Sequence, residues 1–519
     1  MNIIPKPVSS TQYTDELVIS SISIIEGDYK GVRELLSDYL RSYNDKTDNK
    51  IIFIKDNSLG NEEYIIDIKD NIVINASSEK GAFYACQTII QLAKGGNIIP
   101  KCNIKDKPKY SYRGFMLDVA RHYFSVDKIK QILDLMANLK MNFFHWHLSE
   151  DQGWRAEIKK YPLLTQKGAI RSSTPLSLRR YSLGIEPKDK NEYGRGLFYT
   201  QEEMKNIVAY AKSRHIEVIP EIDMPGHIIS AIACYPNLSC SGKRVEVSNR
   251  WGIKNNIACC GKEDIYTFVK DVIDELIEIF PCKYFHIGGD EVPKRNWKAC
   301  PNCQAKIRKL GLKNEEELQG YFNNVIAEYL KSKNRIMIGW NEILDSASIL
   351  DKNIIAQWWI KRKGDRNEFE WMKKGGKFIL STIDYLYMDH PYAVRPLSKT
   401  YNFNASALEI RDDSCVLGVE APQWTEYIRN NNKLDLNTLA RLVAIAEVGW
   451  TRDDIKDYQD FESRLENLRE YFLNRGYNIA PKEIYQGKTV KSFYGKFIGG
   501  WKMWRRNPNF ELELTKNKE

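Results

Sequence analysis

The chain has 519 residues, of which 43% are hydrophobic, and this size predicts two or three domains with a large core. Lys and Arg number 77 against 68 Asp and Glu, so the formal net charge of +9 is small for this length. The chain has no Arg-rich arm and no zinc-finger spacing, and we therefore expect no nucleic-acid partner. No run reaches the roughly twenty apolar residues that cross a bilayer, so we expect no membrane-spanning segment.

The first residues do not resemble a signal peptide, since residues 1–7 lack a charged region followed by an apolar run. We expect a periplasmic or extracellular protein whose signal peptide has been removed, and a cytoplasmic location is the alternative. The sequence leaves the oligomeric state open.

Residues 1–108 are predicted to form a separate small α/β domain. Three short apolar segments predict strands, the second and third paired as a hairpin: residues 51–55, 64–69 and 71–75. Apolar side chains then recur at helical spacing and predict a helix over residues 81–93. The polar segment that ends at Pro108 marks the domain boundary.

From residue 109 to about 450, short apolar segments alternate with amphipathic helices. Eight segments predict strands: residues 112–119, 141–147, 216–222, 284–288, 336–340, 354–359, 378–381 and 416–421. Helices are indicated behind Ser125, behind a capping box that joins Thr200 to Glu203, and over residues 265–280. Eight strands with helical crossovers predict a (β/α)8 barrel.

Residues 451–519 are predicted to hold one amphipathic helix, over residues 461–472, and an aromatic, basic tail. Because this segment has no core of its own, we expect it to pack on the barrel. The chain is therefore predicted to contain an α/β domain, a (β/α)8 barrel and a C-terminal helical segment.

Polar and indole side chains follow the predicted barrel strands, at the end where barrel enzymes build their sites. They are Arg121, His122, His145, His147, Glu150, Asp151, Asp223, His227, Asp290, Glu291, Trp340, Trp359, Tyr387, Asp389, Trp424 and Glu426. Each of them alone is compatible with a core or surface role. Their occurrence after all eight strands favours a functional site.

Two adjacent carboxylates end the fourth predicted barrel strand, in the sequence His-Ile-Gly-Gly-Asp-Glu of residues 286–291. Neighbouring side chains on a strand point to opposite faces, so Asp290 and Glu291 can converge only where the backbone turns. Gly288 and Gly289 permit such a turn. Two carboxylates held close do not ionise easily together, and one of them tends to keep its proton as an acid. This division of roles is typical of glycosidic-bond cleavage.

Four motifs occur in a fixed order along the predicted barrel. They are RGFMLDVARHY at residues 113–123, HWHLSEDQGWR at 145–155, PEIDMPGH at 220–227 and HIGGDE at 286–291. Together they resemble glycoside hydrolase family 20, the exo-acting β-N-acetylhexosaminidases, and the likeness extends to the preceding domain. The resemblance implies a glycan or oligosaccharide substrate with a terminal N-acetylhexosamine, and we expect no cofactor and no metal.

The resemblance implies a mechanism in which the 2-acetamido group of the substrate attacks the anomeric carbon, with retention through an oxazolinium-type intermediate. Glu291 matches the general acid/base of this family, and Asp290 matches the carboxylate that orients the acetamido N–H. As an anion, Asp290 should also help to keep Glu291 protonated near neutral pH. His227 and Glu150 resemble residues that orient the acid, although position 150 is often Asp in this family.

Three further roles follow from the resemblance. Tyr387 resembles the tyrosine whose hydroxyl donates to the acetamido oxygen. Arg121 and Glu426 resemble the pair that grips hydroxyls of the non-reducing sugar and makes the pocket exo-acting. Asp389 resembles the carboxylate that reaches the far-side hydroxyls.

Three indoles resemble those that enclose the acetamido methyl group and stack on the sugar ring: Trp340, Trp359 and Trp424. The adjacent Trp358 is the alternative to Trp359, because the sequence permits either to face the pocket. The linkage cleaved, and the preference between gluco and galacto sugars, are left open.

Other functions are possible for the same residues. A metallohydrolase could use His145, His147, His227 and Asp223, but the sequence offers no further matched ligand set. A non-catalytic sugar-binding barrel would be favoured if Asp290 or Glu291 were missing. A two-carboxylate retaining glycosidase that acts on unmodified sugars is the nearest rival. For Arg113, His145 and His147 we favour a structural role, since ion pairs are common on early barrel strands.

The ten cysteines do not form the framework of a small disulfide-rich domain. Cys300 and Cys303 form a Cys-x-x-Cys pair, but no second such pair occurs at zinc-site spacing, since Cys259 and Cys260 are adjacent and Cys282 is isolated. This pattern favours a local disulfide or two free thiols over a metal site.

Overall fold

The protein is described by a computed structural model that covers residues 1–174, 193–361 and 366–487. A small α/β domain precedes a closed eight-stranded barrel, which confirms the predicted fold class. Residues 488–519 of the predicted C-terminal segment lie outside the described residues. Within the described ranges, we find no helix that is both long enough and apolar enough to cross a membrane.

The N-terminal domain is a six-stranded sheet with the strand order β1-β6-β4-β5-β3-β2. Its strands are β1 Ser9–Val18, β2 Ile24–Gly27, β3 Lys50–Lys55, β4 Tyr64–Ile68, β5 Ile72–Ala76 and β6 Ile98–Asp106, with helices α1 Lys30–Leu40 and α2 Glu79–Leu92. The antiparallel pairing of β4 with β5 confirms the predicted hairpin. Strand β1 was not predicted, because it is exposed along almost its whole length and lacks a buried apolar face.

All eight predicted barrel strands form, with ends that shift by up to two residues from the predicted bounds. They are β7 Tyr112–Asp118, β8 Phe143–His147, β11 Glu217–Glu221, β12 Tyr284–His286, β13 Ile336–Trp340, β14 Ile355–Trp358, β15 Lys377–Leu380 and β16 Val416–Gln423. Every neighbouring pair is parallel, and β16 pairs with β7 to close the barrel. A two-stranded ribbon of β9 Ser149–Glu150 and β10 Gly153–Trp154 follows β8.

Helices connect the barrel strands and continue to the C-terminal side. They are α3 Val126–Asn138, α4 Leu163–Gln166, α5 Gln201–Lys212, α6 Ile229–Cys234, α7 Glu263–Ile277, α8 Arg295–Ala299, α9 Pro301–Leu310, α10 Glu315–Ser332, α11 Asn367–Lys373, α12 Leu397–Tyr401, α13 Asn431–Trp450, α14 Tyr458–Asn474 and α15 Lys482–Tyr485. Short 3₁₀ helices occupy Pro236–Leu238, Asn341–Ser346, Ala405–Leu408, Asp413–Cys415 and Asp453–Ile455. The Ser125 N-cap and the Thr200–Glu203 capping box form as predicted.

Buried ion pairs join the N-terminal domain to the barrel. The guanidinium of Arg113 donates to Glu62 at 2.9 Å and to the carbonyl of Tyr110 at 2.7 Å. The ammonium of Lys140 lies 3.0 Å from a carboxylate oxygen of Asp106. Arg113 therefore lies at the domain junction, where a structural role accounts for its burial.

The interior of the barrel contains an apolar cluster that is separate from the main core. Its members come from seven of the eight strands and from a position two residues before β12: Tyr112, Phe143, Ile219, Cys282, Tyr284, Ile338, Ile355 and Ile379. The rings of Tyr112 and Phe143 stack with centroids 4.4 Å apart. We call this set the floor cluster, and it fills the barrel below the polar residues described next.

Candidate active site

The turn after β12 brings both predicted carboxylates to the mouth of the barrel. Gly288 and Gly289 have φ angles of 70° and 92°, in the left-handed region that favours glycine. A Cβ atom at Gly288 would lie 1.8 Å from a carboxylate oxygen of Asp223, so only glycine fits there. The backbone N–H of Gly289 donates to the same Asp223 oxygen at 3.3 Å. The glycines therefore set both the turn and its contact with the neighbouring loop.

Asp290 and Glu291 both face His227. The Nε2 atom of His227 lies 3.9 Å from Asp290 Oδ2 and 3.4 Å from Glu291 Oε2. The backbone N–H of Glu291 donates to the carboxylate of Glu342, which fixes the residue at a φ of 48°. The Glu291 side chain is 23% exposed, whereas Asp290 is buried.

One oxygen of Asp290 is available to a ligand. Oδ1 is buried and has no hydrogen-bond partner among the described residues. A buried carboxylate oxygen without a donor is costly in a protein interior, and a catalytic role is one of the explanations for such an atom.

Burial raises the pKa of Asp290 to about 6, although the nearby His227 opposes the shift. For His227 itself, burial lowers the pKa, but the carboxylates of Glu150 and Asp223 outweigh it and raise the pKa well above the usual range. The pKa of Asp290 is therefore raised towards neutrality, and the neighbouring His227 favours the anionic carboxylate.

Glu150 links His227 to Arg121. One oxygen of Glu150 lies 2.7 Å from Nδ1 of His227 and also contacts the guanidinium of Arg121. The same guanidinium lies 3.2 Å from Asp118. The longer side chain of Glu at position 150 thus bridges the predicted sugar-binding arginine and the imidazole. Asp118 was not identified from the sequence, because its contacts come from residues on two separate segments of the chain.

Aromatic side chains form the opposite wall of the site. Trp340, Trp359 and Tyr387 belong to one apolar cluster, against which Trp424 packs. The rings of Trp359 and Tyr387 stack with centroids 6.1 Å apart, and Trp340 lies 5.7 Å from Trp424. The guanidinium of Arg121 lies 4.9 Å above the Trp424 ring.

The structure separates the two candidate indoles of the sixth barrel strand. Trp358 packs against Phe378 with centroids 5.4 Å apart, away from the aromatic wall, and its indole donates to the carbonyl of Ile360. Trp359, one residue further, faces Tyr387. Trp358 is the last residue of β14 and Trp359 follows it, so the two side chains point to different sides and Trp359 reaches the wall.

Asp389 and Glu426 lie close enough to act electrostatically on the predicted site. The charge of Asp389 contributes to raising the pKa of the Tyr387 hydroxyl, after the larger effect of burial. The charge of Glu426 likewise favours the positive form of Arg121, although Glu150 and Asp118 have larger effects. The contacts given above connect the other side chains of the predicted set at the barrel mouth, from the two carboxylates through His227, Glu150 and Arg121 to the aromatic wall.

A layer of buried polar residues supports this mouth from below, and we call it the polar layer. It comprises His145, His147, Glu221, His286, Gln357 and Glu420. Glu221 is its centre, with carboxylate oxygens 3.0 Å from His145 Nε2, 2.5 Å from His147 Nδ1 and 3.0 Å from His286 Nδ1. The indole of Trp340 also donates to Glu221 at 3.0 Å.

Glu221 lies in the PEIDMPGH motif of residues 220–227, but the sequence did not indicate a role for it. The only available signal was a charged residue inside an otherwise apolar strand, in the sequence Val-Ile-Pro-Glu. His145 and His147 are held by Glu221 and Glu420, in agreement with the structural role favoured for them.

The ligand set of the metallohydrolase alternative does not assemble. Asp223 lies with His147 in one group and with His227 in another, and His145 belongs to a third. No disulfide joins any of the ten cysteines, so the local disulfide considered for Cys300 and Cys303 is not formed.

Comparisons with known proteins identify the family. Residues 110–453 match the profile described as glycosyl hydrolase family 20, catalytic domain, and residues 1–107 match that of glycosyl hydrolase family 20, domain 2. The chain belongs to glycosyl hydrolase family 20. The four motifs that resembled this family all lie in the matched region, and they carry the carboxylate turn and the residues around it.

Individual relatives agree with this membership of family 20. A β-hexosaminidase of Porphyromonas gingivalis is 36% identical over an alignment that covers 90% of this chain and 62% of the relative. A β-N-acetylhexosaminidase structure from Bacteroides fragilis has a TM-score of 0.82 at 31% identity and covers 94% of this chain and 98% of that one. A Vibrio harveyi exo-β-N-acetylglucosaminidase in complex with N-acetylglucosamine has a TM-score of 0.80 at 29% identity, with 92% and 78% covered.

The chain is shorter than some of these family 20 proteins. It spans 62% of the length of the Porphyromonas protein and 63% of another curated β-hexosaminidase.

Proposed function

We propose that the protein is an exo-acting β-N-acetylhexosaminidase, which removes terminal β-linked N-acetylglucosamine or N-acetylgalactosamine from the non-reducing end of a glycan. The observation that carries this proposal is the buried Asp290 carboxylate, whose Oδ1 has no partner among the described residues, beside the more exposed Glu291. An amide N–H of the sugar is a donor that suits this oxygen. Family membership and the names of the relatives support the same reaction.

In the first step, the acetamido oxygen of the sugar bonds to the anomeric carbon while the bond to the leaving oxygen breaks. Glu291 donates its proton to that oxygen, which departs with the electron pair of the broken bond. Asp290 accepts the acetamido N–H and stabilises the positive charge that grows on this group. The product of the step is an oxazolinium-type intermediate and the free aglycone.

In the second step, water attacks the anomeric carbon from the face that the aglycone has left. Glu291, now a carboxylate, accepts the proton of this water, and the acetamido oxygen leaves with its electron pair. Two inversions give overall retention of configuration. In this proposal the hydroxyl of Tyr387 donates to the acetamido oxygen, and its ring belongs to the apolar cluster of Trp340 and Trp359, against which Trp424 packs.

Charged residues at the rim support exo action. Arg121 is held between Asp118 and Glu150, which presents a fixed cation to sugar hydroxyls. In this proposal Asp389 and Glu426 supply carboxylates that accept from sugar hydroxyls, and their charges act on Tyr387 and Arg121 respectively. Together they suit the hydroxyls of a terminal sugar.

A panel of aryl β-glycosides that differ only at C2 and C4 tests the proposal. Hydrolysis of the N-acetyl-β-glucosaminide with little turnover of the plain β-glucoside is expected, because the nucleophile belongs to the substrate. Comparable rates on both sugars would instead favour a two-carboxylate enzyme. The C4 pair then measures the preference between gluco and galacto sugars.

A further inference from the structure

Four cysteine sulfurs meet outside the candidate active site. The Sγ atom of Cys259 lies 3.7 Å from that of Cys300 and 3.6 Å from that of Cys303, and Cys240 lies 3.9 Å from Cys303. All four sulfurs lie within 4.8 Å of one another. The reaction proposed above uses none of them.

The spacing of these sulfurs fits a tetrahedral metal site. Zinc–thiolate bonds are about 2.3 Å long, so the sulfurs of a regular four-thiolate site are about 3.8 Å apart. The three distances given above lie within 0.2 Å of that value. A disulfide would require about 2.05 Å. The arrangement is therefore too open for disulfides and has the dimensions of a zinc centre.

The chain supplies the sulfurs in a way that suits a structural site. Cys300 and Cys303 flank the start of helix α9, so a Cys-x-x-Cys pair presents both sulfurs from one helical turn. Cys240 and Cys259 come from the long segment after β11, which an antiparallel bridge between Ser239 and Ala258 closes into a loop. The backbone N–H of Cys259 donates to the carbonyl of Leu238 at 2.7 Å, which holds this loop in place.

The two segments pack closely at this point. A Cβ atom at Gly261 would lie 2.3 Å from the backbone nitrogen of Cys303, so a glycine is needed for the approach. Cys259, Cys300 and Cys303 are buried, and Cys240 lies at the partly exposed edge. A buried group of polarisable sulfurs with one open edge gives a metal ion a path of entry and little contact with water.

We propose that Cys240, Cys259, Cys300 and Cys303 bind one Zn²⁺ ion as four thiolates. Binding would release four thiol protons and leave no coordination position for water or substrate, so the site is structural. It ties the loop after β11, which carries His227, to the loop after β12, which carries Asp290 and Glu291. This inference replaces the disulfide or free thiols that the isolated Cys-x-x-Cys pair favoured.

Metal analysis of the purified full chain is the first test. We expect about one zinc per chain, released when a mercurial titrates the four thiolates, and tetrahedral cobalt bands with sulfur-to-cobalt charge transfer after substitution of Co²⁺ for Zn²⁺. Reduced protein that binds neither ion would overturn the proposal. So would intact-mass analysis of native protein showing that these cysteines form disulfides.

Variants locate the ion. Cys303→Ser should lose the bound zinc and lower the melting temperature, whereas the matched control Cys415→Ser, at a partly exposed cysteine outside the cluster, should keep both. Cys240→His, at the open edge, should retain zinc but change the cobalt spectrum, because imidazole is also a zinc ligand. An unchanged cobalt spectrum in Cys240→His, or zinc retained in Cys303→Ser, would show that the metal binds elsewhere. The wild-type spectrum decides the question even if Cys303→Ser does not fold.

Discussion

The floor cluster and the polar layer both lie inside the barrel, but burial has opposite effects on the folding free energy of the two regions. The floor cluster fills space with apolar side chains such as Tyr112, Ile338 and Ile379, and its burial favours folding directly. The polar layer buries Glu221 among three histidines, where desolvation opposes the charges and the ion pairs compensate for it. One region stabilises the barrel, and the other positions groups above it.

This contrast explains why the polar layer lies where it does. Glu221 receives the indole N–H of Trp340, which belongs to the aromatic wall, and Asp223, two residues further, accepts the backbone N–H of Gly289. The same strand end therefore orients both walls of the site. Apolar residues in these positions would pack well but could not hold the indole or the turn by directed hydrogen bonds.

Glu291→Gln should give the largest effect and act on catalysis alone. The amide preserves the shape but cannot protonate the leaving group, so we expect kcat to fall about 10²–10⁴-fold. Substrates with very good leaving groups need little protonation, and their first step should lose less. Equal losses for all leaving groups would contradict the acid role.

Glu221→Gln should affect folding as well as the site, in contrast to Glu291→Gln. Removing one partner of a buried ion pair costs about 3–5 kcal/mol, because the remaining charge is left without compensation. Burial lowers the pKa of His145, but Glu420 and Glu221 together raise it to about 10. Urea unfolding gives the free-energy change, and kcat of the folded fraction gives the effect on the site. A variant as stable as the wild type would mean that the polar layer does not depend on this charge.

The sequence predicted the residues that line the candidate site better than the buried polar residues that hold them in place. Gly288 and Gly289 predicted the turn after the fourth barrel strand, and runs of apolar residues predicted the barrel strands. The role of Glu221 could not be predicted, because its partners lie on other strands whose register a single sequence does not give. The choice of Trp359 over Trp358 likewise depends on one step of strand register.

The group of four cysteines likewise could not be predicted from the sequence, because its members lie far apart along the chain. Cys259 is separated by 41 residues from Cys300 and by 44 from Cys303. Such spacing does not match the short paired motifs by which zinc sites are recognised in a sequence. Only the packing of the two loops, with Gly261 at their contact, brings the sulfurs together.

Asp290→Asn tests whether the carboxylate serves the reaction or only the turn. The amide keeps the size of the side chain, and the turn depends on Gly288 and Gly289, so the melting temperature should change little. The loss of charge beside the developing cation should cost roughly 3–4 kcal/mol in the transition state, expressed in kcat. Near-normal kcat in a folded variant would assign Asp290 a structural role.

The pH dependence of kcat/KM should report the same carboxyl in the free protein. Burial raises the pKa of Asp290 to about 6, so this group gains a proton, and activity is lost, as the pH falls through 6. Below this point we expect about a tenfold loss per pH unit for a single protonation. The Asp290→Asn variant provides the control, since its residual activity should lack this acid limb.

Ile338→Val should give the smallest effect and the opposite pattern to Glu291→Gln. Ile338 is fully buried in the floor cluster, two residues before Trp340 on strand β13, and the substitution removes a single methylene. The resulting cavity should lower the free energy of unfolding by about 0.5–1.5 kcal/mol. Kinetic constants should stay unchanged, because the ion pairs of Glu221 rather than the packing below them fix the mouth. Parallel measurement of urea unfolding and kcat/KM checks both parts. A loss of kcat/KM larger than the loss of stability would show that the floor cluster also positions the site, and the division between the two regions would then fail.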